Sequence, residues 1–300
     1  MTTRLAGVFA PVITTFYPQS GELDVASFAA NIRAHLAAGL HGIVVTGSTG
    51  EAALLDASER AAMVDVAREM VPNDRMLIVG TGAESTRTCL QLTRDAAARG
   101  ADAVLVVAPH YYGPAMTGPA LARHYRRIAD ESPVPVILYN IPKYMHFALT
   151  PGLVSELSVH DNVIGIKDSS GDRSLLAAYL DAESETFAVL TGNAAIFQHA
   201  LRAGARGGIL AVALFAAALS LEVYDAMARG DAAAAEAAQT RLTPLGGTIV
   251  GEMGVAGVKA AMDHVGLIGG PVRSPLLPLE DERIAVVVEM LRSAELATAV

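Results

Sequence analysis

Eight short runs rich in Val and Ile, each followed by a longer alanine-rich segment, recur along the 300 residues. They begin at Gly7 (GVFAPVIT), Gly42 (GIVVTGS), Met76 (MLIVGTG), Ala103 (AVLVVAPH), Pro135 (PVILYNIP), Val163 (VIGIKDSS), Phe187 (FAVLTGN) and Gly207 (GGILAVA). The runs are apolar nearly throughout instead of alternating, as in parallel strands buried on both faces, and the segments between them supply crossover helices. Eight such units predict an α/β fold closed into a (β/α)₈ TIM barrel, with an open doubly wound sheet as the alternative. No Pro/Gly/Ser-rich linker divides the chain. The expected organisation is therefore one structural unit, a barrel over residues 1–221 with a C-terminal helical extension over 222–300 packed on it. The segments DAAAAEAAQTRL, GEMGVAGVKAAMDHVG and EDERIAVVVEMLRSAEL of that extension are helical by propensity or spacing, and little functional content is expected of them.

Several function classes are disfavoured. A net charge of -9 without a basic run argues against nucleic-acid binding. The longest apolar run, GGILAVALFAAALSL at 207–221, is shorter than the ~20 residues of a membrane-crossing helix. It reads as a buried strand leading into a core-facing helix. The start of the chain lacks a basic segment followed by an apolar stretch, and the single cysteine, Cys89, cannot close an internal disulfide, so a cytoplasmic protein is expected. No GxSxG, P-loop, HExxH or metal-ligand spacing occurs, and no metal is expected. GARGG at 204–208 resembles a phosphate cradle but precedes the eighth strand, on the wrong end of a barrel for chemistry.

Polar and glycine residues follow the strands, at the barrel end where active sites of this architecture assemble. Only three of the 22 basic residues are lysines, at 143, 167 and 259, and Lys167 ends the sixth strand. Unlike arginine, lysine can lose its proton when desolvated and act as an amine nucleophile. The plainer alternative is an ion pair with its neighbour Asp168. TGSTGE, residues 46–51, is expected to lead into a helix beginning near Glu51, so that the amides of Ser48 and Thr49 and the helix N-terminus seat an anion such as a carboxylate. Tyr139 closes the fifth strand and could transfer protons one strand away from Lys167. Tyr111 and Tyr112 follow the fourth strand and offer a second phenol. In GTGAES the acidic residue, Glu84, is expected to cap the next helix. His110 and His146 receive no role, and Lys259 reads as a solvated or paired charge.

Taken in order, GSTGE, PHYY, YNIP and GIKDSSGD resemble the dihydrodipicolinate synthase and N-acetylneuraminate lyase family of class I aldolases, from APVITTF to GGPVRSPL. Within it, GAEST, the loop PHYYGPAMTGPALARHY, SPVPVILY, KDSSGD and GGPVRSPL are most similar to 4-hydroxy-2-oxoglutarate aldolases. The resemblance implies that Lys167 forms a Schiff base with a 2-keto acid and that Tyr139 shuttles protons. It implies that Ser48 and Thr49 hold the carboxylate, that Gly192 and Ile209 line the pocket, and that Ser169 contacts substrate. It further implies that Tyr111, or its neighbour Tyr112, joins a proton relay across a subunit interface in a homodimer or homotetramer. The only covalent group needed is the lysine imine, without a separate cofactor. The partners expected are a small keto acid and an aldehyde.

The expected reaction is cleavage of 4-hydroxy-2-oxoglutarate to pyruvate and glyoxylate. The alternatives are synthesis of 4-hydroxy-tetrahydrodipicolinate from pyruvate and aspartate semialdehyde, and keto-acid binding without turnover. One departure bears on the choice: Tyr144 stands where the resemblance places an arginine of synthases that hold a second carboxylate, and Lys143 offers a point charge instead of a bidentate fork.

Overall fold

Each of the eight apolar runs forms a strand in the computed structural model, which describes residues 5–296. The strands are β1 (Gly7–Pro11), β2 (Gly42–Val45), β3 (Met76–Gly80), β4 (Ala103–Val107), β5 (Val136–Asn140), β6 (Val163–Asp168), β7 (Ala188–Thr191) and β8 (Gly207–Ile209). All pair in parallel in sequence order, and β8 closes back on β1, so the sheet is a complete barrel and not an open doubly wound layer. Closure removes both sheet edges and buries the strands between lumen and helices, which is why their sequences carry almost no polar residue before their C-terminal ends.

Twelve helices are present among the described residues. They are α1 (Val25–Ala37), α2 (Ala57–Met70), α3 (Thr86–Ala98), α4 (Gly118–Glu131), α5 (Pro142–Met145), α6 (Pro151–Ser158), α7 (Arg173–Leu180), α8 (Phe197–Ala203), α9 (Ala217–Ala228), α10 (Ala232–Pro244), α11 (Gly254–His264) and α12 (Asp281–Ser293). Residue 221 lies inside α9, so the helix that follows β8 runs beyond the boundary expected for the barrel. From α10 onward the chain forms the helical extension, with a π-helical stretch, Leu245–Glu252, joining α10 to α11. The first four and last four residues of the expected 1–221 and 222–300 spans lie outside the described residues. No described helix is long and apolar enough to cross a membrane.

The helix expected near Glu51 starts later. Glu51 has φ 54°, in the left-handed region, and only a single 3₁₀ turn (Ala52–Leu54) follows before α2 begins at Ala57. The start signal that wins is Asp56, whose carboxylate accepts from the N–H of Glu59 while the Glu59 side chain reaches back to the Asp56 N–H. Glu84 likewise does not cap α3. Ser85 does, accepting from the N–H of Thr88, and Glu84 Oε2 instead accepts from the backbone N–H groups of His110 and Tyr111.

Burial of two helix histidines generates a pH prediction. His35 on α1 and His124 on α4 are both drawn down to about 4 by burial, and the Nε2 atoms of both lack a partner. Both are neutral in the fold, whereas the unfolded chain protonates each near pH 6.5. Between about pH 6.5 and 4 the unfolded state binds more protons, so stability falls as pH drops through that window. Denaturant unfolding at pH 7.5 and 5 should differ by on the order of 1–2 kcal/mol per histidine. The His35→Gln/His124→Gln variant should flatten that slope, and an unchanged slope would contradict the assignment.

Candidate active site

The site is built on the register between β5 and β6, in which Tyr139 is the Cα partner of Lys167 and Asn140 the partner of Asp168. Side chains alternate along a strand, so partners in a parallel pair share a face and sequence neighbours do not. Tyr139 and Lys167 accordingly meet in the mouth of the barrel, with Lys167 Nζ 4.3 Å from the centroid of the Tyr139 ring. Lys167 is 6% exposed and Tyr139 4%. Asn140 and Asp168 turn to the other face, toward the helical layer.

The ion pair between Lys167 and Asp168 does not form, for the same reason. Asp168 Oδ1 accepts from Asn140 Nδ2 at 2.8 Å and from the Ser170 N–H at 3.1 Å, while Oδ2 accepts from Ser170 Oγ at 2.8 Å. Burial raises the Asp168 pKa, and the Asn140 and Ser170 hydrogen bonds oppose that shift. Asn140 is tied in turn by the Leu149 N–H, donated to its Oδ1 at 3.0 Å. This network locks the ends of β5 and β6 together from behind and leaves the Lys167 amine to the lumen.

Around that amine lies a cavity of about 260 Å³. Ser48, Thr49, Tyr139, Lys167, Ser169, Gly192 and Ile209 all line it, so seven of the eight residues to which the resemblance assigns catalytic or substrate-binding roles converge. Gly192 is there because nothing larger fits. A Cβ at that position would stand 1.9 Å from Ser169 Oγ and 2.8 Å from Lys167 Cε. The backbone amides of Ser48 and Thr49 donate to no acceptor among the described residues, which leaves two N–H groups for a bound anion. With α2 starting only at Ala57, that seat owes nothing to a long helix N-terminus.

Tyr111 is the eighth, and it is not in this cavity. It is 78% exposed and packs edge-on against Tyr112, with ring centroids 5.0 Å apart. Its backbone N–H donates to Glu84 Oε2 at 2.9 Å, and its ring lies outside the cavity that surrounds Lys167.

The extension contributes more than expected. Val250, Gly251, Gly254, Val255 and Val258, from the π-helical stretch and α11, form a wall of the cavity together with Tyr144 and Lys143. Lys143 Nζ donates to the carbonyl of Gly251 at 2.7 Å, bridging the rim to the extension. Burial raises the pKa of the Tyr144 phenol, with the nearby Tyr139 adding to the shift, so Tyr144 faces the cavity as a neutral donor. The sequence signal for this wall was the glycine-punctuated run GEMGVAGV, in which Gly257 packs against Met253 and the Ile249 carbonyl of the π-helical stretch. Lys259, on the same helix, is paired and not solvated: it is 1% exposed, and Nζ lies 2.6 Å from Glu51 Oε1.

Residues 4–294 match the profile of the Dihydrodipicolinate synthetase family. The chain belongs to that family. It is 34% identical over 279 residues to the 4-hydroxy-tetrahydrodipicolinate synthase of Methanoculleus marisnigri, covering 92% of this chain and 95% of that one. It is 36% identical over 272 residues to the enzyme of the same name from Pseudomonas aeruginosa, covering 91% and 92%. Among solved structures, YagE is a prophage protein of the dihydrodipicolinic acid synthase family from E. coli K12, solved in complex with pyruvate. It superposes with a TM-score of 0.92 at 30% identity, covering 98% of this chain and 99% of that one. A monomeric dihydrodipicolinate synthase variant gives a TM-score of 0.92 at 28% identity, covering 98% of both chains. The family is one of lyases acting on small molecules through a TIM barrel, and this chain is an enzyme of that kind.

The tight fit at Gly192 makes its consequence measurable. Gly192→Ala should displace Ser169 and the Lys167 side chain and lower lyase kcat/KM by about 10²-fold. Gly152→Ala, where an added Cβ meets nothing within 4 Å, should leave it unchanged. Equal activity in the two variants would refute the packing account.

Proposed function

We propose that the enzyme is a class I aldolase in which Lys167 forms an imine with a 2-keto acid and makes or breaks a carbon–carbon bond to an aldehyde. The observation that carries this reading is the Lys167 amine, buried beside the Tyr139 ring without a carboxylate partner among the described residues, in a cavity also lined by Ser48 and Thr49 with their free amides. A keto acid anchored by its carboxylate on those amides presents its keto carbon to Nζ. Attack of the neutral amine gives a carbinolamine, and the Tyr139 phenol donates the proton with which its hydroxyl leaves as water. The resulting iminium withdraws electrons from C3. In the cleavage direction the C4 hydroxyl gives its proton to the Tyr139 phenolate left by that dehydration, the C3–C4 bond breaks, and its electron pair becomes the enamine of pyruvate as the aldehyde departs. Protonation at C3 and hydrolysis then release pyruvate and restore the amine. The protonated imine is the electrophile, so no metal or organic cofactor enters the scheme. Tyr111, exposed on this chain, fits a role in the cavity of a second copy in a homodimer or homotetramer. The single buried cysteine suits a reducing cytoplasm.

The names of the curated relatives support synthesis of 4-hydroxy-tetrahydrodipicolinate, from pyruvate and aspartate semialdehyde, as the first reading of the aldehyde partner. Cleavage of 4-hydroxy-2-oxoglutarate, the expectation from sequence, becomes the second reading. One observation favours it: a neutral phenol at Tyr144 and a lysine already bonded to Gly251 stand where a second carboxylate would meet an arginine fork.

Borohydride with pyruvate should add a reduced pyruvyl group to Lys167, read by peptide mass spectrometry, and Lys167→Arg should abolish both adduct and turnover. Tyr139→Phe should form the same adduct more slowly, reaching it on long incubation, while turnover falls about 10²- to 10⁴-fold. An unmodified Lys167 in active enzyme would refute the mechanism. Parallel assays with aspartate semialdehyde and with 4-hydroxy-2-oxoglutarate decide between the two readings. In the synthase reading the first substrate is preferred by the native enzyme. In the cleavage reading it becomes competitive only in Tyr144→Arg, gaining about tenfold or more from a charge-assisted pair.

A further inference from the structure

The loop that carries Ser48 and Thr49 is held in an unfavourable backbone conformation. Thr46 and Glu51, flanking it, have φ values of 50° and 54°, in the left-handed region that non-glycine residues enter only when their surroundings impose it. At its first end, Thr46 Oγ1 donates to the carbonyl of Gly80 at 2.9 Å, and next to its second end Thr14 Oγ1 donates to that of Gly50 at 2.6 Å. At Glu51 itself the C-terminal extension adds a second constraint. Glu51 Oε1 lies 2.6 Å from Lys259 Nζ, with side-chain exposures of 0% and 2%, and Oε2 accepts the backbone N–H of Arg273 at 2.8 Å. Lys259 Nζ also donates to the carbonyl of Pro271 at 2.5 Å and lies 4.7 Å from the centroid of the Phe16 ring. The guanidinium of Arg273 lies 4.2 Å from the same ring and is forked onto Glu59 at 2.7 and 2.6 Å.

A buried ion pair is a poor source of net stability, because two charges must be desolvated to make it. Its value here is directional. The residue before Lys259, Val258, lines the cavity, so one turn of α11 touches the substrate space and grips the loop across from it.

We propose that Glu51 and Lys259 are positioning residues for substrate: their ion pair clamps residues 46–51 so that the amides of Ser48 and Thr49 face the cavity together and hold the keto-acid carboxylate. This rests on the reading that those amides take that carboxylate. Neither side chain touches substrate; both act through the loop.

The test uses the full chain and borohydride trapping of two probes, pyruvate and its uncharged methyl ester, with Glu51→Gln and with the volume-preserving pair Glu51→Gln/Lys259→Met. The double variant leaves no unpaired charge and keeps an acceptor for the Arg273 N–H, so it is expected to melt close to the native enzyme even if the single variant is crippled. Half-saturation by pyruvate should rise about 10- to 100-fold in each folded variant, as for loss of a charge-assisted hydrogen bond, with the saturated trapping rate within threefold of native. The methyl ester should be trapped alike by all, since it brings no charge to the seat. A merely structural pair would move both probes together. Native half-saturation by pyruvate in a folded variant, parallel losses for both probes, or a double variant that does not fold would each overturn the proposal. Absence of any pyruvate adduct in the native enzyme would instead sink the imine reading on which it stands.

Discussion

Everything at the barrel mouth depends on the β5–β6 register. One pairing places a phenol and an amine side by side in the lumen and, in the next pair, an amide and a carboxylate on the outer face. A slip by one residue would exchange those faces, sending Lys167 into the helical layer and Asp168 into the mouth. The hydrogen bond from Asn140 to Asp168, shared with Ser170 and Leu149, secures the register where it matters. The same alternation keeps the nearest carboxylate in sequence from pairing with the amine. An ion pair with Asp168 would leave Lys167 occupied, and the backbone geometry of a strand forbids it.

The second constraint is that a barrel of this kind leaves its mouth open, and the chain closes part of it with its own C-terminal helices. The π-helical stretch and α11 bring Val250, Gly254, Val255 and Val258 against the cavity, and Gly246 allows the stretch to pack closely, since a Cβ there would stand 2.6 Å from Ala194 Cβ. The extension is therefore part of the site. It reaches the opposite side as well, through Lys259 and the backbone of Arg273, both of which end on Glu51. Strand ends position the reactive groups, and the extension shapes the space and the loop around them.

The fold was legible because parallel strands buried on both faces must be continuously apolar, and eight such runs begin within a residue of the observed strands. Lys167 and Tyr139 were legible because strand C-termini define the functional rim, whereas Gly192 and Ile209 came from the family resemblance. What escaped was set by contacts distant in sequence. Glu51 looked like a helix start because nothing local shows that residues 259 and 273 would hold it in a left-handed conformation. Lys259 read as a solvated or paired charge, and its pairing could not be chosen from sequence because its partner lies more than two hundred residues away. Tyr111 could be placed on the rim, but which way its ring points depends on Glu84 gripping the backbone beneath it and on any second chain. Strand alternation alone already argued against the pairing of Lys167 with Asp168, and that inference was open from sequence.

The most direct test of the central claim, that one lysine in the lumen and two backbone amides of the β2 loop together define the substrate position, is a crystal structure of the enzyme reduced with borohydride in the presence of pyruvate. The account predicts continuous density from Lys167 Nζ to the pyruvyl C2, with the carboxylate oxygens within hydrogen-bonding distance of the Ser48 and Thr49 N–H groups and the Tyr139 hydroxyl beside the new C–N bond. An adduct on Lys143 or Lys259, or a pyruvyl carboxylate directed away from that loop, would contradict it.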